Sequence, residues 1–163
     1  MELSEIIKQI HSQWLIAKEQ RRQRCLASNL PVVAQRLADC TMFKGDEDIA
    51  KLALLFTSPQ GMEFCLAANF PTLSTFRLFK SFNTQQYGIY IDAGNITLKN
   101  PSMAVLIGKT IATIECDSCA MHNVITMHGA SATVLASGWA VVRTESGVSS
   151  NIVRRSSDNS IIL

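Results

Sequence analysis

A dominant charge, a long apolar run and a pairable set of cysteines are all missing from this 163-residue chain. Charged residues are only 17%, and fifteen Lys and Arg against thirteen Asp and Glu leave a net +2. That balance lacks the broad basic surface that marks nucleic acid or anionic membrane as a partner. No apolar stretch approaches the roughly 20 residues of a spanning helix. The start, Met1-Glu-Leu-Ser-Glu5, is acidic and then amphipathic, unlike the basic-then-apolar order of a secretory signal. Five cysteines, an odd number, do not build a disulfide framework, so a reducing, cytoplasmic setting is expected. There is no Gly-x-Ser-x-Gly, no phosphate-binding glycine loop and no carboxylate-pair motif; catalytic residues and cofactors are not expected. What is abundant is apolar: 47% hydrophobic residues supply a core and exclude a disordered chain.

The chain changes character near residue 82. Its seven Phe run from Phe43 to Phe82, and none follows. Before that point helical signals dominate. Ile7, Ile10, Trp14 and Ala17 form a three- and four-residue stripe over residues 4–27, with Ser4 as N-cap. Its far end, Lys18 to Arg24, is charged and expected to be solvated. Asn29 is expected to cap a short helix with Pro31 in its first turn, running to about Cys40. Asp46 opens another, apolar at Ile49, Leu52, Leu54, Leu55 and Phe56. Ser58-Pro59 starts a fourth that ends near Asn69, and Pro71 to Lys80 forms the last.

The second part repeats. Ile96, Leu106, Ile114, Val124, Val134, Val142, Ile152 and Ile162 follow one another at steps of eight or ten. Two positions before each stand Gly94, Ala104, Ala112, His122, Ala132, Ala140, Ser150 and Ser160, small in seven of eight cases. Alternation over such short segments is the strand period. Antiparallel meanders alternate in the same way. A small residue beside an aliphatic one at every recurrence favours a narrow interior filled repeatedly, as in a β-solenoid of four coils of 18 to 20 residues. The fold expected is α+β: a helical N-terminal layer, residues 1–82, followed by a short C-terminal β-solenoid, residues 83–163.

Ala132-Thr-Val-Leu-Ala-Ser-Gly138, continued by Trp139-Ala-Val-Val142, resembles the Ala-Thr-Val-x-Ala-x-Gly repeat of small β-solenoid proteins. These include bactofilin-like polymer-forming proteins and proteins of bacterial phages and mobile elements. The resemblance implies assembly or binding through a stacked β surface, and brings no catalytic residue with it.

Three candidate sites remain. Cys116-Asp-Ser-Cys119, with His122 and His128 beyond, has the ligand types and spacing of a zinc site. The repeat argues for structure instead, because Cys116 takes a small interior position. Residues 61–80 read as helix, turn, helix, in which Ser74, Thr75, Arg77 and Lys80 would meet a DNA major groove. Ten basic against eight acidic residues in the first 80 is a thin footprint for that partner. DNA is therefore the alternative. The favoured reading is a non-enzymatic protein that binds another copy or another protein through its solenoid, with no membrane partner. Leu135, Trp139 and Val141 are the expected outward contacts, joined by Ile161 and Leu163 in the apolar closing segment.

Overall fold

The computed structural model describes residues 1–163. Helices fill the first part: α1 (Leu3–Ala27), α2 (Pro31–Asp39), α3 (Ile49–Thr57), α4 (Pro59–Ala68) and α5 (Leu73–Arg77). The chain divides into two compact units, Met1–Thr75 and Phe76–Leu163, so α5 spans the division.

In the first unit the stripe of α1 buries Ile6, Ile7, Ile10 and Trp14, as its spacing requires. Trp14 packs edge-on against Phe43 with ring centroids 5.8 Å apart, and Phe64 continues the aromatic cluster to Phe70 at 5.9 Å. Lys18 is not wholly solvated. Its ammonium lies 4.7 Å from the Trp14 ring centroid and donates to the Cys40 carbonyl at 3.0 Å.

The helix boundaries show which cap signals won. Ser58 accepts from the Gly61 N–H, and Pro59 follows in the first turn, as expected. Asn29 does not start α2; with φ of 57° it ends α1. Leu30 N–H reaches Cys25 O and Asn29 N–H reaches Leu26 O, a Schellman closure that uses asparagine where glycine is commoner. The cap of α3 is Asp48, two residues beyond Asp46, its carboxylate accepting from Lys51 N–H at 2.8 Å. Ser4 lies inside α1, where Glu2 N–H instead donates to the Glu5 carboxylate. The expected helix from Pro71 to Lys80 is shorter. After Arg77 the bonds tighten to i→i+3, Phe79 N–H to Phe76 O and Phe82 N–H to Phe79 O, and 3-10 turns cover Lys80–Phe82 and Thr84–Tyr87.

In the second unit nine strands wind in parallel: β1 (Ile89–Ile91), β2 (Gly94–Lys99), β3 (Met103–Ile107), β4 (Thr110–Cys116), β5 (Met121–Met127), β6 (Ser131–Ala136), β7 (Val141–Ser146), β8 (Asn151–Ser156) and β9 (Ile161–Ile162). Odd strands stack in one sheet, β1-β3-β5-β7-β9, and even strands in the other, β2-β4-β6-β8. This is the β-solenoid, with about four coils. Between the sheets lie Ala104, Leu106, Ala112, Ile114, Cys116, Val124, Ala132, Val134 and Val142, all buried. The alanines let the two sheets approach.

The register corrects the eight-and-ten reading. Ile111 pairs with Ser131 and Ser131 with Asn151, a strict repeat of 20, whereas Ile89 pairs with Val105, a repeat of 16. Leu106 therefore stacks on Thr126 and Val134 on Arg154, each two residues from the aliphatic neighbour that the spacing suggested. A slip of two preserves which side faces inward. The shorter first coil has a local cause. Residues 100–102 separate Lys99 from Met103, whereas residues 116–122, four more, separate their partners Glu115 and Asn123.

Both faces of β3 and β5 are buried over much of their length. Outward-facing Val105, Ile107, Ile125 and Met127 are as hidden as their inward neighbours. One coil further, Arg143 and Glu145 take the outward places of that sheet and pair with each other at 2.7 Å. The outer face thus turns from apolar to polar along the stack.

Candidate interaction surface

Twenty-residue stacking lines up corners as well as strands. Met121 pairs with Val141 and Val141 with Ile161, on the outward side of the odd-strand sheet. Met121 is 60% exposed and Ile161 53%, with Val141 between them half-buried. In the adjoining turn, Trp139 is 66% exposed, and Leu163 beyond Ile161 is 64% exposed. Three of the expected contacts, Val141, Ile161 and Leu163, therefore share the outward side of the odd-strand sheet, and Trp139 is exposed in the turn that leads into Val141. The fifth, Leu135, is half-buried and faces outward from the other sheet, between Glu115 and Arg155. Met121 escaped the sequence reading because the eight-and-ten steps conceal its place above Val141; the strict 20-residue repeat reveals it.

The end of the last coil is guarded. Arg154 occupies the inward column below Val134, and its guanidinium Nε donates to Thr144 Oγ1 at 2.8 Å. An inward-pointing charge on β8, the last strand of the even-strand sheet, opposes edge-to-edge pairing there. At the opposite end, Thr84 Oγ1 donates to Ile89 O at 2.9 Å, which ties the 3-10 turn Thr84–Tyr87 to the first strand.

The Cys-x-x-Cys segment forms the enlarged corner. Asn100 stitches it to the first coil, its side-chain oxygen accepting from Asp117 N–H at 2.8 Å and Ser118 N–H at 3.1 Å. Cys116 points inward above Ala136, and burial pushes its thiol up to about 11. Cys119 is exposed on the turn. His122, 2% exposed, takes the inward place that Val142 and Ile162 hold in later coils. Its Nδ1 lies 2.8 Å from Pro101 O and its Nε2 3.1 Å from Ser118 Oγ. The ring thus links the short first corner, through Pro101, to the enlarged one, through Ser118. His128 sits at the opposite corner, its ring centroid 5.6 Å from that of Phe76. These four residues do not converge, and no group of three or more His, Cys, Asp or Glu is assembled to hold a metal ion.

The residues offered for DNA are dispersed in another way. Thr75 is buried and donates to Gln13 Oε1 at 3.1 Å, whereas Ser74 is exposed. Arg77 grips Asp92 through Nε at 2.7 Å and Nη2 at 3.3 Å, and Lys80 approaches the same carboxylate at 3.6 Å. Arg77 and Lys109 N–H hold the Asp92 carboxyl down at about 2, against opposing burial. A helix of five residues whose one cation, Arg77, is already paired offers little to a groove. No helix of the chain is long and apolar enough to cross a membrane. No protein family, curated protein or solved structure matches the chain.

Proposed function

We propose that this chain is an assembly or binding protein that self-associates through its solenoid, in the cytoplasm and without chemical turnover in that role. The observation that carries the reading is the exposed apolar column Met121–Val141–Ile161, flanked by Trp139 and Leu163. Solvent-facing side chains of this size, contiguous and on a rigid support, mark a surface meant to be covered. A second copy supplies the matching column in the simplest, two-fold arrangement. Arg154 on β8, the edge strand of the even-strand sheet, favours contact along the side of the stack over contact end to end. The likeness to bactofilin-like polymer formers fits the same role.

Light scattering coupled to size exclusion tests it, at low and high salt. A discrete oligomer that survives salt is expected, because the contact is apolar. Trp139→Asp combined with Ile161→Asp should return it to a monomer, and deletion of 158–163 should lower the oligomeric state. A wild-type chain that runs as a monomer throughout rejects self-association.

A further inference from the structure

The enlarged corner contains an arrangement that assembly does not use. A carbonyl oxygen only accepts, so the 2.8 Å contact with Pro101 O places the proton of His122 on Nδ1. In the neutral ring Nε2 then carries a lone pair, and Ser118 Oγ stands 3.1 Å from it as donor. Satisfying Pro101 explains the ring and its Nδ1. Ser118 Oγ satisfies the buried Nε2 in turn, and in doing so sets a partly exposed hydroxyl directly against a base.

We propose that Ser118 is an activated nucleophile that accepts the acyl group of small carboxylic esters, with His122 as its general base. This goes beyond self-association and does not depend on it. A nucleophile within hydrogen-bond reach of a base that a third group orients is the pattern of nucleophilic catalysis, and here Pro101 O supplies the orientation. His122 is held in the solenoid interior, while Ser118 lies partly exposed in the turn, where a substrate can reach it. The next residue is Cys119, whose N–H makes no hydrogen bond to a backbone carbonyl. The amide after a nucleophilic serine is the one that commonly stabilises the oxyanion.

In the step, Ser118 Oγ bonds to the ester carbonyl carbon and its proton passes to His122 Nε2. The tetrahedral intermediate then collapses: the carbon–oxygen bond to the alcohol breaks, and the departing oxygen takes the proton from Nε2. An acyl-serine and a free alcohol result. Water deprotonated by the same Nε2 releases the carboxylic acid and restores Ser118.

The test incubates the full chain with a fluorophosphonate probe, maps the adduct by mass spectrometry, and follows 4-nitrophenyl acetate hydrolysis. The expected result is a single adduct on Ser118 with ester turnover, both lost in Ser118→Ala. His122→Val repeats the residue of the next coil, and His122→Asn keeps a donor near Pro101 O while removing the base. Each should slow labelling by about 100-fold or more with unchanged circular dichroism. Absence of the Ser118 adduct in the wild-type chain, adducts spread over other serines, or wild-type labelling of His122→Asn overturns the proposal. Elution volumes of the same samples report on self-association separately.

Discussion

At the scale of single residues, Asp92 is a charge held by two cations and a backbone N–H. Its backbone lies in the left-handed region at φ of 47°, which Asn also tolerates, so Asp92→Asn removes the charge without adding strain. The folded carboxyl sits at about 2, below its ordinary 3.8, chiefly because Arg77 binds the ionised form. A lowered value means the stabilisation is fully present above the unfolded carboxyl's range and disappears as pH falls through about 2. Because Arg77 and Lys80 are substantially exposed, the contribution is discounted to about 1 kcal/mol. Urea unfolding of the wild-type chain and Asp92→Asn should show that difference at pH 6 and its loss near pH 2. A cost that stays constant with pH would assign the effect to something other than the ion pair.

At the scale of elements, the solenoid is held by inward columns rather than by any one strand. Ile114 is fully buried, stacks on Val134 and belongs to the apolar cluster between the sheets. Ile114→Ala should destabilise by about 2–5 kcal/mol, read from denaturant midpoints. Outward-facing Ile111 on the same strand is 59% exposed, and Ile111→Ala should change the midpoint little. Equal effects at the two positions would contradict the facing assigned to β4.

That facing was legible from spacing, because alternation survives a slip of two. The register was not. It depends on how many residues each corner consumes, and Asn100-Pro-Ser102 does not announce that it is four shorter than the matching stretch 116–122. Helix starts were legible where a cap met proline at Ser58, and ambiguous at Asn29, since the same side chain suits the beginning of one helix and the left-handed end of another. Trp139, Ile161 and Leu163 were readable as exposed apolar residues. The Ser118–His122 contact was not, because it joins a turn serine to the one residue that breaks the series of small sites two positions before each aliphatic.

At the scale of the whole molecule, the division falls at residues 75 and 76, earlier than the change of composition at 82. Phe76 against His128, and Arg77 with Lys80 against Asp92, explain why residues 76–88 group with the strands that follow them. The repeat of 20 has a further consequence, since every coil from β3 onward is congruent with the next. The solenoid is a ruler whose graduations can be added. Inserting a second copy of residues 121–140 after Ala140 should lengthen the stack by one strand spacing, about 4.8 Å, and leave both ends chemically unchanged. Small-angle scattering should register the added length, and a collapsed or aggregated product would mean that the coils are not interchangeable. Length in this architecture is thus set by the number of copies of one short segment, so distance along the stack can change in evolution without the invention of a new core.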